Sequence, residues 1–240
     1  YAELASYADI VTGLMSIAAN STGVTPGAGE PAISVAQFEK AGLIGVTAEN
    51  VASVRTAIRG TADDGTGVDS LIELQALVDG VIAQAKVDAF NIIRYYDGTG
   101  TAPTAADYAL AEISGVDAGI LAAVNSVIAH VPDSAKDTVG EVQAIANAYA
   151  RLLTPSRLTA SQFTLLGADQ ADTAGKAGLL NDILGNEQTG DYDTYSELSA
   201  TAVTVARMFT TASGGTLTPA LAPADFALID ASVTTDLVPA

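Results

Sequence analysis

Apolar residues recur along the chain at intervals of three and four positions, in four separate stretches. In one stretch they occupy positions 71, 74, 78, 81 and 85, and the same spacing is found within 139–153, 195–209 and 1–15. This spacing places the apolar side chains on one side of an α-helix, because the helix turns once every 3.6 residues. The pattern predicts four equivalent amphipathic helices, and no stretch sustains the alternation of a β-strand.

Helix starts are marked by a hydroxyl residue followed three positions later by a residue that completes a capping box. Three long helices begin in this way, at Ser70–Glu73, Thr138–Glu141 and Thr194–Glu197. Three shorter segments carry the same signal with Gln or Asp at the third position, at Ser34–Gln37, Thr104–Asp107 and Thr159–Gln162. The caps therefore predict short helices and long helices in alternation.

A repeat of 55 to 70 residues connects these signals. The aromatic residues Phe38, Tyr108, Phe163 and Phe226 occupy equivalent positions in the short helices. A Gly-Val-Thr corner, with Thr47 as the expected N-cap, leads from the first short helix into a second helix. Each unit is predicted to hold helix 1 (34–41, 104–112, 159–167), helix 2 (47–60, 117–131, 171–184) and helix 3 (70–96, 138–153, 194–212).

The predicted fold is all-α, a tandem array of small three-helix modules that forms an elongated rod. We expect modules at 26–102, 103–154 and 155–218, preceded by the final helix of another module at 1–25 and followed by the first helix of a truncated module at 219–240. A helix 3 of about 27 residues spans about 40 Å, which is long enough to pack against a neighbouring module. The terminal helices carry unmatched apolar stripes, which predicts either packing onto the adjacent modules or head-to-tail association with another copy.

Composition and charge narrow the function. The formal charge of −18, from 10 basic and 28 acidic residues, disfavours binding to nucleic acids and to anionic lipid surfaces. No uninterrupted apolar stretch reaches the 18 residues that membrane insertion would need. Cysteine is absent, which excludes disulfides and thiolate metal sites. A cysteine-free chain with an acidic surface rich in Thr, Gly and Asp is typical of large exported bacterial proteins, and the alternative is an acidic cytosolic protein. The low aromatic content favours closely packed helices with small buried side chains.

Residues with catalytic potential are few, and the sequence predicts no enzyme. His130 is the single histidine and lies at the end of a predicted helix 2, where the helix dipole favours it. Tyr95–Tyr96 closes a long helix and is expected to pack one ring against the next module. The glycine-rich segments 60–67 and 98–100 lack the lysine of a phosphate-binding loop.

Acidic residues gather in the loops between helix 2 and helix 3, and calcium is the candidate cofactor. The candidate calcium ligands are Asp63, Asp64, Asp69, Asn186, Glu187, Asp191 and Asp193, with Asp133 and Asp137 at the same place in the middle unit. Calcium prefers six to eight oxygen ligands, and the loop 186–193 offers the best set. The alternative is that these acids are solvated and favour the positive end of helix 3, because no EF-hand loop is present.

One stretch of sequence resembles a known kind of repeat. The pattern F/Y-x6-G-V-T-x2-N-V begins at Phe38, and S-L-x-E-L-Q-A-L-V-D follows at 70–79. Together they resemble a repeat found in very large secreted adhesins and other surface-exposed proteins of bacteria. The resemblance covers nearly the whole chain and is weakest at 163–209, where Lys176 replaces an apolar residue and Gln170–Ala171 replaces Gly-Val. It implies a structural or adhesive protein of the cell surface and supplies no catalytic residue.

Two functions remain open at the level of sequence. The first is a structural, self-assembling segment of an exported bacterial surface protein, such as an adhesin stalk, a surface layer or a filament, whose partners are other copies or other surface proteins. The alternative is a module that binds a host or matrix protein through an exposed helix face. An enzyme would need a polar cluster that interrupts the repeat, and the sequence contains none.

Overall fold

The computed structural model describes residues 33–61, 70–154, 157–185, 193–217 and 219–227. In these ranges the chain is all-α, as predicted, with ten α-helices, one 3₁₀ turn and no strand. The helices are α1 Val35–Lys40, α2 Val51–Arg59, α3 Leu71–Arg94, α4 Ala105–Leu110, α5 Leu121–His130, α6 Val139–Leu152, α7 Ala160–Leu165, α8 Ala174–Leu184, α9 Tyr195–Ala212 and α10 Pro223–Ala227. A short, an intermediate and a long helix follow one another three times, and we call α1–α3, α4–α6 and α7–α9 the first, second and third triplets.

Five of the predicted capping boxes begin helices where the sequence places them. Thr104, Thr138 and Thr194 each accept a hydrogen bond from the backbone N–H three residues later, and the acidic side chain at that position accepts one in return from the N-cap N–H. Ser34 and Thr159 form the same reciprocal pair with a glutamine. These bonds satisfy backbone donors that a helix N-terminus otherwise leaves unpaired.

Helix 2 of the first triplet begins later than predicted. Thr47 is not its N-cap, because α2 starts at Val51 and its N-cap is Asn50. The Asn50 side chain accepts from the Thr47 N–H at 2.8 Å and donates to the Gly45 carbonyl at 2.8 Å. These two bonds hold residues 45–50 in a compact turn, and the helix starts only after that turn.

The short helices of the three triplets, α1, α4 and α7, end in the same way. The N–H of Leu43 donates to the Phe38 carbonyl at 3.0 Å, and the equivalent bonds run from Ile113 to Tyr108 at 2.8 Å and from Ala168 to Phe163 at 2.9 Å. Such a bond closes a Schellman motif, which requires a left-handed residue just before the donor. The left-handed residues are Gly42 (φ 84°), Glu112 (φ 64°) and Gly167 (φ 76°).

The chain divides into two compact units, Tyr1–Val87 and Asp88–Ala240. The core of the first unit is built on the aromatic side chain of Phe38, with Val54 and Ile58 from α2 and with Leu74 and Val78 from α3. The apolar stripe predicted on helix 3 is therefore buried at its middle positions, while Leu71 at its start stays 39% exposed. The stripe predicted at 1–15 lies outside the described residues.

The second unit has one continuous core that includes both the second and the third triplets. The core begins with Ala89 and Ile93 near the end of α3 and continues through Tyr108 and Phe163 to Val205. Helix α6 packs against α5 and also against α7, and α9 packs against α8 and also against α5. Apolar contacts thus run without a break from the second triplet to the third. The module boundaries expected from the sequence remain a prediction.

Candidate functional site

A polar side chain of helix 2 binds the residue that precedes helix 1 in every triplet. Arg55 donates to the Ile33 carbonyl at 2.6 Å, and the Asn125 amide donates to the Pro103 carbonyl at 2.8 Å. Asn181 donates to the Leu158 carbonyl and accepts from the Leu158 N–H, both at 2.8 Å. Each bond holds the residue before a short helix against helix 2 of the same triplet.

The second triplet adds a buried hydrogen bond to this arrangement. The Tyr108 hydroxyl donates to Asn125 Oδ1 at 2.7 Å, and both side chains are buried. Burial raises the pKa of Tyr108 well above its ordinary value, because ionisation would place a charge in the core. Asn125 is thus satisfied on both its donor and its acceptor side.

A glutamine one turn into helix 3 binds the loop that follows helix 1. Gln75 accepts from the Ile44 N–H at 3.0 Å and donates to the Ile44 carbonyl at 3.1 Å. Gln143 makes the same pair of bonds with Ser114, at 2.8 and 3.1 Å. In both triplets the glutamine side-chain amide pairs with the N–H and the carbonyl of one residue, as a second peptide group would. The only sequence signal for this clamp is the Glu-apolar-Gln order after the cap, and Ser199 breaks that order in the third triplet.

The second and third triplets meet at Tyr195, the first residue of α9. Its ring stacks on the His130 imidazole, with ring centroids 4.5 Å apart and planes inclined by 7°. Its N–H donates to the Ser126 hydroxyl at 3.0 Å, so the start of α9 is held against α5. The ring also lies against Gly167, where an added Cβ atom would overlap it. We call this arrangement the Tyr195 joint.

His130 lies where the sequence places it, as the last residue of α5. Its Nδ1 donates to the Ser126 carbonyl at 2.7 Å, which orients the imidazole for the stack with Tyr195. No partner of His130 is predictable from the sequence, because the contact joins residues 65 positions apart. In the structure the imidazole therefore belongs to a contact between triplets.

The two tyrosines that follow α3, Tyr95 and Tyr96, make different contacts. Tyr96 packs against the core of the second unit, and its carbonyl accepts from the Lys136 ammonium at 3.0 Å. Lys136 is only 3% exposed and also donates to the Ile128 carbonyl at 2.7 Å. Tyr95 is exposed, and the Arg94 guanidinium lies 4.3 Å above its ring. Tyr96 is therefore the ring of the pair that packs against a core.

Most of the candidate calcium ligands lie outside the described residues, namely Asp63, Asp64, Asp69, Asn186, Glu187 and Asp191. Asp193 is described and exposed. In the described part of the chain, no group of three or more His, Cys, Asp or Glu side chains is placed to hold a metal ion. Calcium binding by these loops therefore remains a prediction.

The acids of the middle loop are engaged locally. Asp133 lies 3.7 Å from the Lys136 ammonium. A hydrogen bond between the side chains of Asp137 and Glu141 raises the pKa of Asp137 and lowers that of Glu141. Glu141 also completes the capping box at Thr138. Asp133 and Glu141 thus take part in local contacts at the turn and helix start that they flank.

One cavity of about 480 Å³ lies beside the start of α9. It is lined mainly by apolar and small groups: Gly119, Ala122, Ala123, Tyr149, Leu153, Asp193 and Thr194. Asp193 is the one charged side chain in this lining. The cavity lies next to the Tyr195 joint, where the second and third triplets meet.

Comparisons of the chain with protein-family models, with curated proteins and with solved structures found no match. None of the helices in the described ranges is both long enough and apolar enough to cross a membrane.

Proposed function

We propose that this chain is a non-catalytic, structural and self-assembling repeat segment of an exported bacterial cell-surface protein. In this proposal the three triplets are the modules of a tandem array that forms an elongated rod. The observation that carries the proposal is the continuous core of the second unit, which includes two successive triplets. In repeat proteins, stability comes from contacts within each module and between nearest neighbours, and this core is built from both.

The specific polar contacts also support a structural role. The caps, the Schellman motifs and the bonds made by Arg55, Asn125 and Asn181 recur at equivalent positions of all three triplets. Each of them fixes one helix against another or closes a helix end. A repeated set of such contacts produces a defined spacing, which is the property that a stalk, a surface layer or a filament needs.

The location at the cell surface rests on composition and on the resemblance to adhesin repeats. The net charge of −18 keeps the surface soluble and disfavours binding to polyanions. The absence of cysteine removes thiol oxidation as a hazard outside the cell. Both features suit a long extracellular spacer whose surface must not adhere indiscriminately.

Antibodies raised against the segment test this proposal on cells that produce the parent protein. We expect them to label intact cells as strongly as permeabilised cells. A cytosolic marker must stay unlabelled on the intact cells, which shows that their envelopes are closed. Labelling that appears only after permeabilisation would contradict the proposed location.

A further inference from the structure

The cavity beside the start of α9 has a counterpart in the third triplet. Helices α5 and α8 share a register, because Asn125 and Asn181 make equivalent bonds to the residues that precede their short helices. Helices α6 and α9 share the register of their capping boxes, at Thr138 and Thr194. Both pairs of helices are offset by the same number of positions, so each residue of one triplet has an equivalent in the other.

In the third triplet an aromatic ring fills the equivalent space. Two atoms of the Phe209 ring lie 2.9 Å from the point where a Cβ atom on Gly175 would stand, so the ring lies directly on this glycine. The equivalent residues of the second triplet are Leu153 and Gly119, and both line the cavity. Beyond its chain neighbours, the only described group within 4 Å of a Cβ atom placed on Gly119 is the Asp117 carboxylate. The place of the ring is therefore open in the second triplet.

The open space has the size of a small-molecule site. We call the cavity of about 480 Å³ that Gly119 and Leu153 help to line the Gly119 groove. Small-molecule sites in proteins have volumes of about 300–1,000 Å³ and mostly apolar walls. Gly119 and Ala122 are exposed, so the groove opens to solvent, whereas Tyr149 is 2% exposed and forms a packed wall.

The charged groups at the groove are carboxylates. Asp193 is exposed and is part of the lining. Asp117 Oδ1 accepts from the Gly119 N–H at 2.8 Å, so this second carboxylate lies beside the glycine. No basic side chain belongs to the lining in the described ranges, and the net charge of the whole chain is −18. The groove therefore favours a positively charged ligand over a negatively charged one.

We propose that the Gly119 groove binds a small molecule that carries an aromatic ring and a positively charged amine. The ring lies on Gly119 in the way that the Phe209 ring lies on Gly175, and it takes up space that Leu153 leaves open. The ammonium group donates to the Asp193 carboxylate, in a charge-assisted hydrogen bond. The site goes beyond the proposed structural function, and neither depends on the other.

Two-dimensional ¹H–¹⁵N NMR spectra of the full chain test the proposal, with 2-phenylethylamine as the probe. We expect this cation to shift the amide signals of Gly119, Ala122 and Thr194, with a dissociation constant on the order of 1 mM for a ligand of its size. Butylamine has the charge without the ring, and 3-phenylpropionate has the ring with the opposite charge. Each should bind at least about tenfold more weakly, because it loses either the apolar contact or the ion pair.

Two variants test the place of the ring. Leu153→Phe puts a ring where Phe209 has one in the third triplet, and Ala122→Leu fills the groove from an exposed position of α5. Both should weaken the binding of 2-phenylethylamine at least about tenfold. The matched control Leu110→Phe adds the same ring at a 44% exposed leucine of α4, outside the groove, and should bind like the wild type. Asp193→Asn should remove the preference for 2-phenylethylamine over 3-phenylpropionate.

Helical circular dichroism shows whether each variant is folded. Unchanged affinity in a folded Leu153→Phe or Ala122→Leu variant would overturn the site, and so would a wild type whose signals do not shift at about 20 mM probe. Equal binding of butylamine would overturn the role of the ring, and equal binding of 3-phenylpropionate the role of the charge. These outcomes leave the proposed structural function untouched, since the labelling of intact cells tests it separately.

Discussion

The aromatic residues of the short helices show how one position tolerates different chemistry. Phe38, Tyr108 and Phe163 are all fully buried at the start of their triplets. Tyr108 alone brings a hydroxyl into the core, and Asn125 accepts its hydrogen bond. Because a buried polar group without a partner is costly, the two side chains depend on each other.

The ionisation of Tyr108 should make the second unit sensitive to alkaline pH. Burial raises the folded-state pKa of the phenol above its unfolded value of about 10. The neutral phenol therefore contributes stability that is fully present below about pH 10 and is lost as the pH rises toward the higher folded value. We expect denaturant unfolding to show a larger loss of stability between about pH 9 and about pH 11 in the wild type than in Tyr108→Phe.

The same variant has a second expected effect at neutral pH. Tyr108→Phe leaves Asn125 Oδ1 buried without its donor and should cost about 1–3 kcal/mol of unfolding free energy. The two proteins differ only at residue 108, so the comparison isolates Tyr108. An equal alkaline loss in the two proteins would show that this phenol does not control the transition.

At the scale of the element, the short helices differ in the residue that adopts the left-handed conformation after their last turn. Gly42 and Gly167 adopt the left-handed conformation without strain, but the equivalent residue of the second triplet is Glu112. A side chain in this conformation costs about 1–2 kcal/mol, because its Cβ approaches the neighbouring carbonyl oxygen. The second triplet therefore carries strain that the other two avoid.

Substitutions at these three helix ends should act in opposite directions. We expect Glu112→Gly to raise the unfolding free energy by about 0.5–1 kcal/mol, since relief of strain outweighs the added flexibility of the unfolded chain. Gly42→Ala should lower it by about 1 kcal/mol. Gly167→Ala should lower it further, because the new Cβ overlaps the Tyr195 ring. Urea titrations of the three variants measure these changes in unfolding free energy. A lower value for Glu112→Gly would show that the Glu112 side chain stabilises the fold by more than its backbone strain costs.

At the scale of the whole molecule, the two units have cores of different extent. The core of the first unit is built from α1, α2, the first half of α3 and the loop residues next to α1. The core of the second unit joins two triplets, and the Tyr195 joint adds a ring stack and a hydrogen bond to their contact. The second and third triplets should therefore unfold together.

Tyr195→Ala tests this coupling. The variant removes the stack on His130 and the packing on Gly167, and should lower the unfolding free energy of the second unit by about 1–3 kcal/mol. The matched control is Tyr95→Ala, which removes an exposed tyrosine outside the joint and should cost less than about 1 kcal/mol. Chemical denaturation followed by circular dichroism gives both values. Equal effects of the two substitutions would mean that the joint contributes no specific coupling.

The sequence alone determined the features that depend on neighbours along the chain. The two residues of each capping box are three positions apart, and the apolar stripe of helix 3 follows the helical period. The buried aromatic residues recur at equivalent positions of the repeat. Local signals failed at the start of helix 2, where α2 begins at Val51 instead of residue 47 and α5 begins at Leu121 instead of residue 117. Thr47 looked like an N-cap, but the Asn50 amide organises the turn instead.

Only the tertiary structure decided which distant residues meet. The bond from Tyr195 to Ser126 spans 69 positions, and the clamps of Gln75 and Gln143 span 31 and 29. Such pairs leave no periodic trace in a single sequence, because each depends on how whole helices pack. The same holds for the exposed residues Ile44 and Ile72, which lie on two segments that Gln75 joins through its bonds to the Ile44 backbone.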